Sequence, residues 1–283
     1  MSVRTVSSLL VALALALGAS GCPKPRTSAA TQPTPAEFNA VQSDPKAIAV
    51  VDAGLAALGG ADKWEQLKEL SFTIAYQDGS VTKAKFQHTW DHWNGRHYFV
   101  TPVTSTLGGK PEDVEYQEVK YDLFDLDAKP WAASGGQVAS MRKDADAMAK
   151  VARQRLKEDL YFVAIVYKLK DPGAKLAVDN AQVTVAGSEK CKPSCTSIKV
   201  SFDPAVGSDT WFVNFNSESK LAEVIEKQMG GGRIGYEIGG WVEAGGLKWP
   251  TKFQNLGLKS EVIEISDVAV GDPEDSTYLP TLH

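Results

Sequence analysis

The sequence predicts a β-rich α+β protein, in which a curled antiparallel sheet of about eleven strands forms a half-open barrel and helices pack against its concave face. Three observations support this prediction. Many segments alternate apolar and polar residues, as half-buried strands do. Short turns rich in Gly, Asn, Ser and Asp separate most of these segments, as an antiparallel meander requires. So many strands favour a curled sheet, whose concavity is the available place for the apolar faces of the helices.

Three helices are predicted. Residues 47–58 carry apolar side chains at helical spacing, and Gly59 and Gly60 end this helix. Residues 61–67 restart a short helix. The one long helical segment lies at about 137–168, and its second half is unusually apolar.

The clearest strand is residues 70–76, where apolar and polar residues alternate so that one face is apolar and is expected to be buried. Residues 83–93 continue the pattern and place four ring-bearing side chains on one face: Phe86, His88, Trp90 and His92. Asn94 and Gly95 are typical of a two-residue type I′ turn, after which residues 96–100 return antiparallel. Further strands are predicted at 114–124, 175–186, 196–202, 210–216, 221–228, 233–244, 248–257 and 261–270.

The first 22 residues have the layout of an export signal, with one charge at Arg4, an apolar run at 9–17 and small residues before Cys22. This ending resembles the bacterial lipoprotein signal, which is cut before a cysteine that then carries the lipid. The resemblance implies a signal peptide at 1–21 and lipid attachment at Cys22, and the presence of Pro23 rather than Asp after that cysteine implies sorting to the outer membrane. The alternative is an ordinary secreted protein with a stray cysteine.

Residues 22–44, rich in Pro, Thr, Ser, Ala and Gln, are predicted to form a disordered tether, and residues 45–283 a single domain. Removal of the signal peptide takes away one positive charge, Arg4, so the formal charge changes from −5 to −6. Because no basic cluster is visible, nucleic-acid binding is not expected. The mature chain also lacks a second long apolar run, so the lipid is the only membrane attachment predicted.

Cys191 and Cys195 lie between two predicted strands, and we expect them to form a disulfide because exported compartments are oxidising. The closed loop is short, so the bond would contribute about 2 kcal/mol at most. A redox-active pair has two intervening residues, whereas this pair has three, and a zinc site would need two further ligands nearby. The predicted role of the disulfide is to staple one loop.

The histidines raise the question of a metal site. The predicted hairpin would pair His92 with His97, with about 5 Å between their Cβ atoms. Zinc sites use three or four ligands, so no metal is predicted, and His92 and His97 are only weak candidates. The glycine-rich residues 230–235 are predicted to be a hairpin turn, because a strand rather than a helix follows them. Neither enzymatic activity nor a cofactor is predicted.

Five segments carry a resemblance to a known superfamily: residues 57–74, 90–96, 166–173, 209–226 and 246–253. With the order of the predicted elements, they resemble the periplasmic lipoprotein-sorting carriers of the LolA and LolB type, and more closely cell-envelope lipoproteins of uncharacterised function on that fold. In the carriers, an incomplete barrel capped by helices encloses an apolar cavity that holds acyl chains. The resemblance implies the same fold and an apolar cavity in this chain.

Two functional hypotheses follow. The first is a non-enzymatic protein, lipid-anchored at the outer membrane with its domain in the periplasm, that binds an acyl chain or other apolar ligand for carriage or sensing, driven by about 0.8 kcal/mol per buried CH₂. The residues predicted to line its cavity are Phe72, Ile74, Phe86, Trp90, Phe99 and Trp211. The second is a structural or interaction lipoprotein whose concavity is filled by its own residues 160–169, with no ligand. The predicted partners are the membrane, through Cys22, and a lipid or lipoprotein acyl chain; the oligomeric state is not predicted.

Overall fold

The fold was analysed in a computed structural model, which describes residues 38–103, 114–139, 141–179, 188, 190, 191, 195–202 and 209–280. In these residues one antiparallel sheet contains thirteen strands in the order β6-β5-β4-β3-β2-β1-β13-β12-β11-β10-β9-β8-β7. The strands are β1 Glu69–Asp78, β2 Val81–Asp91, β3 Arg96–Pro102, β4 Tyr116–Asp122, β5 Trp131–Ser134, β6 Gln137–Val138, β7 Ala174–Val178, β8 Cys195–Phe202, β9 Thr210–Asn216, β10 Ala222–Met229, β11 Gly232–Ala244, β12 Leu247–Asn255 and β13 Glu261–Gly271. Signal peptide, Cys22 and most of the predicted tether lie outside the described residues.

The helices of the described chain are few. They are α1 Pro45–Ala57, α2 Ala61–Glu65, α3 Arg142–Val163 and α4 Asp275–Tyr278, with 3-10 turns at Ala40–Gln42 and Tyr167–Lys170. None of the described helices combines the length and the apolarity needed to cross a bilayer.

Two of the thirteen strands, β5 and β6, were not predicted, which explains the lower predicted count. Both are short, and β6 has only two residues, too few for an alternating pattern to be recognised. The long predicted helix therefore begins later than expected, at Arg142, because residues 137 and 138 belong to β6. Residues 180–186 of another predicted strand lie outside the described chain.

The sheet curls around α3. β1 and β9 are five positions apart in the sheet, which would separate them by about 24 Å if the sheet were flat. Yet the ring of Phe162 on α3 lies 6.4 Å from the ring of Tyr76 on β1 and 6.2 Å from that of Trp211 on β9. The edge strands β6 and β7 do not pair with each other, so the sheet stays open. The β-rich, antiparallel and open character of the predicted fold is confirmed.

The free edge of β7 is covered by the segment before α1. The backbone N–H of Leu176 donates to Oγ of Ser43, and its carbonyl accepts a hydrogen bond from the N–H of Asp44. Ser43 is buried as a result. An edge strand otherwise offers unpaired backbone groups to other chains, so this contact protects it. The folded body therefore includes residues on the N-terminal side of the predicted boundary at residue 45.

The hairpin between β2 and β3 differs from the predicted one. β2 ends at Asp91, and four residues rather than two connect it to β3. The Asp91 carboxylate holds this longer loop, because it accepts hydrogen bonds from the backbone N–H and the side-chain amide of Asn94. Consequently His97 pairs with Trp90, and the predicted pairing of His97 with His92 is wrong.

The predicted disulfide is confirmed. Cys191 and Cys195 are bonded, with their Cα atoms 5.0 Å apart. Cys195 is the first residue of β8 and pairs with Asn216 on β9. The bond therefore staples the chain that enters β8.

Candidate functional site: the filled concave face

The concave face of the sheet is filled by the chain itself. Residues 160–169, which we call the plug, comprise the last turn of α3 and the turn that follows it. At the centre of the plug, the ring of Phe162 lies 5.3 Å from the rings of both Tyr236 on β11 and Phe253 on β12. Six further plug residues are each at most 4% exposed: Val163, Ala164, Ile165, Val166, Tyr167 and Leu169. This is the filling that the second functional hypothesis predicted.

The C-terminal end of the plug is held by Tyr167. Its hydroxyl lies 3.0 Å from the carbonyl oxygen of Leu58, after α1, and 2.8 Å from that of Lys248 on β12. Burial raises the pKa of Tyr167, so the hydroxyl stays protonated and donates between these two carbonyls. The Tyr167 ring also stacks on Trp64 at 5.1 Å and packs against Trp249 at 5.3 Å. The plug is thus tied to both a helix end and the sheet.

Beside the plug, the described part of the chain encloses a small cavity. A cavity of about 10 Å³ lies among apolar residues that include Phe162, Ile238 and Trp241. That volume is close to the minimum that holds one water molecule. A separate groove of about 430 Å³ shares Ile238 and Trp241 with this cavity and has a partly polar lining that includes Lys190 and Glu223.

The residues predicted to line a ligand cavity belong to the apolar core or pack against it. Five of them are buried: Phe72, Ile74, Trp90, Phe99 and Trp211. The sixth, Phe86, is half-buried. The structure shows them in contact with protein side chains. Trp211 stacks on Tyr161 of the plug at 5.0 Å, and the Arg155 guanidinium lies 4.3 Å from the centre of the Phe86 ring. A role in ligand binding stays a prediction.

A row of buried polar side chains crosses the concave face next to α3, and we call it the polar chain: Asp159, His88, His97 and Tyr121. Asp159 Oδ2 lies 2.9 Å from His88 Nε2. His88 Nδ1 lies 3.1 Å from His97 Nε2, and His97 Nδ1 lies 2.7 Å from the Tyr121 hydroxyl. Asp159 belongs to α3, whereas the other three belong to β2, β3 and β4. The polar chain therefore connects the helix to three adjacent strands.

Two further groups bind the Asp159 carboxylate. The Tyr76 hydroxyl and the Arg155 guanidinium each donate to Oδ1 at 2.5 Å. The Asp159 side chain has no exposed surface, whereas that of Arg155 keeps 21% exposed. A buried carboxylate is stable only when it is hydrogen-bonded and its charge is compensated, and Arg155, one helical turn earlier, supplies the compensating charge.

The hydrogen bonds of the polar chain have one consistent direction. Because the carboxylate accepts, His88 Nε2 donates to it; with both imidazoles neutral, His88 Nδ1 accepts from His97 Nε2, and His97 Nδ1 accepts from the Tyr121 hydroxyl. Both imidazoles are neutral in this arrangement. Burial lowers the pKa of His88 in spite of Asp159, and burial followed by the effect of His88 lowers the pKa of His97 well below its ordinary value. These shifts favour the neutral rings.

The polar chain contains the residue types of a proton relay, but it is closed to solvent. His88 is 1% exposed, and His97 and Asp159 are 0% exposed. A substrate has no access to these three side chains in this arrangement. In this arrangement they connect α3 to the sheet.

One feature of the sequence indicates the polar chain, although the polar chain was not predicted. Asp159 follows Ala152 and Leu156 at helical spacing and precedes Val163, so it lies on the buried face of α3. A carboxylate on an apolar helix face indicates a buried polar partner. Which strand supplies that partner is not encoded locally.

The two weak metal candidates are not brought together. His92 Nδ1 lies 3.3 Å from the carbonyl oxygen of Leu67 and its ring packs against Trp90, while His97 contacts His88. In the part of the chain that is described, no group of three or more His, Cys, Asp or Glu side chains is arranged to hold a metal ion.

Comparisons with known proteins give similarities of structure but none of sequence. No protein-family model matches this chain, and no curated protein matches it in sequence. A crystal structure of a domain from Vibrio parahaemolyticus, described as a candidate outer membrane lipoprotein-sorting protein, is similar to it with a TM-score of 0.38 and 8% sequence identity. The similarity covers 80% of this chain and 97% of that domain. A TM-score this low says nothing about what this chain binds.

Proposed function

We propose that this protein is a non-enzymatic, lipid-anchored protein of the cell envelope whose folded body is an interaction module with its concave face filled by its own plug. The observation that carries the proposal is the cavity of about 10 Å³ beside the plug. Ligand pockets have volumes of about 300–1,000 Å³, so this cavity has no room for an acyl chain while the plug is in place. Export and anchoring are supported by the sequence of residues 1–22.

Native mass spectrometry of the full chain, purified without detergent and incubated with palmitate, tests the filled state. The expected mass is that of the lipid-anchored polypeptide alone. Phe162→Ala removes the central ring of the plug, so this variant should take up a small apolar probe such as benzene. Val151→Ala is the matched control, because Val151 is 58% exposed on the same helix and contributes no plug surface. Palmitate bound to the unaltered protein would contradict the proposal.

Metabolic labelling with palmitate tests the anchor. The unaltered protein should be labelled and should sediment with membranes, whereas Cys22→Ser should be unlabelled. The control is the double substitution of the disulfide cysteines, Cys191→Ser with Cys195→Ser, which should leave labelling unchanged. Equal labelling of the Cys22→Ser variant would show that the lipid is attached elsewhere.

A second candidate function is binding of an acyl chain after the plug has moved. The polar chain favours this second function. Burial of an ion pair costs free energy of desolvation, and apolar side chains of similar volume often stabilise a packed segment as well or better. If the plug moves, Asp159→Ala should loosen it and allow palmitate to bind. If the concave face is permanently filled, the same variant should lose stability and still bind no palmitate.

A further inference from the structure

One end of the sheet is built by the ends of five neighbouring strands. The register places five residues in one row across β13, β1, β2, β3 and β4: Gly271, Glu69, Asp91, Arg96 and Asp122. Three segments leave the sheet along this row: residues 92–95, 123–130 and 272–280. They therefore lie side by side at one end of the sheet.

All three segments expose large apolar side chains, including Leu279 in the third, and those of the first two form what we call the tip surface: Trp93, Phe124 and Leu126. Trp93 is 49% exposed, Phe124 50% and Leu126 68%. The two segments are in contact, because the N–H of Leu123 donates to the carbonyl of Gly95 at 2.6 Å. The Phe124 ring also lies against Gly95, where a Cβ atom would be only 2.5 Å from it. The two segments that carry the three apolar side chains are thus adjacent.

Aspartate side chains hold the loops that carry the tip surface. Asp91 accepts hydrogen bonds from Asn94, in the loop of Trp93. Oδ1 of Asp122 accepts from the N–H groups of Phe124 and Asp125, and Oδ1 of Asp125 accepts from those of Asp127 and Ala128. A loop held in this way loses less conformational entropy when it binds. Apolar side chains presented by rigid loops are typical of a recognition surface.

Acidic side chains surround the tip surface. The exposed carboxylates of the three segments belong to Asp125, Asp127, Asp272, Glu274 and Asp275. Together with the three carboxylates of the row itself, Glu69, Asp91 and Asp122, they outnumber the cations of the same region, which are Lys68, Arg96, Lys120, Lys129 and Arg153. Asp272 lies 2.6 Å from Lys68, and Asp275 lies 2.6 Å from Arg96. The patch therefore has an apolar centre and a net negative rim.

We propose that the tip surface docks a partner protein, through a segment in which basic side chains surround an aromatic or aliphatic one. An apolar centre with a charged rim matches the anatomy of protein interfaces. The carboxylates attract lysine and arginine, whereas they are repelled by an anionic bilayer. The inference rests on the proposed function as an interaction module and identifies the surface that the module uses.

The test is a calorimetric titration of full-length protein carrying Cys22→Ser with a synthetic peptide in which lysines alternate with tryptophan and leucine. Binding should weaken by at least about tenfold in Phe124→Ser and in Leu126→Ser. The matched control is Leu258→Ser, which changes a leucine that is 56% exposed at the other end of β13 and should not alter binding. If Phe124→Ser folds poorly, Leu126→Ser still tests the tip surface, because Leu126 is the most exposed of its three side chains.

A charge variant tests the rim. Asp127→Asn combined with Glu274→Gln should weaken peptide binding several-fold and reduce its dependence on salt. Three results would overturn the inference: no binding of the peptide, equal binding by Phe124→Ser and Leu258→Ser, or binding to phosphatidylglycerol vesicles that is lost in Phe124→Ser. Native mass spectrometry of the concave face does not depend on this titration. The proposal of a filled concave face and the proposal of docking at the tip surface can therefore be contradicted separately.

Discussion

His88 and His97 contact each other on neighbouring strands, with His88 Nδ1 3.1 Å from His97 Nε2 and the ring centroids 5.2 Å apart. The contact is diagonal, because His88 is opposite Phe99 and His97 is opposite Trp90 in the ladder. It is also the middle link of the polar chain. The polar chain therefore links α3 to the sheet through two imidazoles whose neutral forms are favoured by burial.

Removal of the Asp159 carboxylate should strongly destabilise the protein. Asp159→Ala leaves Arg155 without its buried counter-ion and His88 without its acceptor. Breaking a buried pair of this kind costs about 3–5 kcal/mol. The control is Asp146→Ala on the same helix, which removes an exposed pair with Arg142 and should cost about 1 kcal/mol or less. Urea unfolding measures both, and equal losses would contradict the assigned role of the polar chain.

Stability should decrease as the pH falls below about 6.5. Burial lowers the pKa of His88, His92 and His97 in the folded state, so the unfolded chain takes up protons first. The stabilising contribution is complete above the unfolded pKa and is lost as the pH falls toward the folded values. Each histidine adds a slope of up to about 1.4 kcal/mol per pH unit in that window.

Urea unfolding from about pH 5 to pH 8 measures this slope. His97→Gln removes one titrating group. The dependence of the free energy of unfolding on pH should therefore become shallower by up to about 1.4 kcal/mol per pH unit. The slope is the informative quantity, because the substitution also changes stability at every pH. An unchanged slope would mean that His97 takes up its proton at the same pH in the folded and the unfolded protein, which would contradict the lowered pKa.

Phe162→Ala should destabilise the fold by about 3–5 kcal/mol, because Phe162 is 9% exposed and its removal leaves a cavity between α3 and four strands. Val151→Ala on the exposed side of the helix should change the free energy of unfolding by about 0.5 kcal/mol or less. Thermal or urea unfolding compares the two. Similar small losses would show that the plug contributes little to the core.

Gly95→Ala should disturb the tip surface. Gly95 has φ +69°, and an added Cβ would lie 2.5 Å from the Phe124 ring. Gly79→Ala is the matched control, because Gly79 has φ +60° and open space around it, so it should lose only about 1 kcal/mol for the left-handed backbone. Gly95→Ala should cost about 1–3 kcal/mol more. Adding Phe124→Ala to Gly95→Ala should reduce the loss of unfolding free energy to that of Gly79→Ala. A larger loss in the double variant would show that the Phe124 ring is not the cause of the strain.

Strand positions were the part of the fold that the sequence predicted best. The prediction for β9, residues 210–216, coincides with the observed strand, and β13 differs from its prediction by one residue. Alternation of apolar and polar residues is a local property of a strand, so it can be read without knowledge of the partners. β6 was missed because two residues cannot show an alternation, and the β2–β3 loop was missed because the Asp91 side chain overrode the Asn94–Gly95 turn signal.

The sequence by itself determined the antiparallel meander, the disulfide and the apolar character of residues 160–169. Only the tertiary structure decided that these residues fill the concave face and that Asp159 meets His88, 71 residues away in the chain. The physical reason is that the remaining volume and the hydrogen-bond partners of a buried carboxylate depend on how the sheet curls around α3. Curling brings together strands that are distant in both sequence and sheet order, and no local pattern of residues records which of them meet.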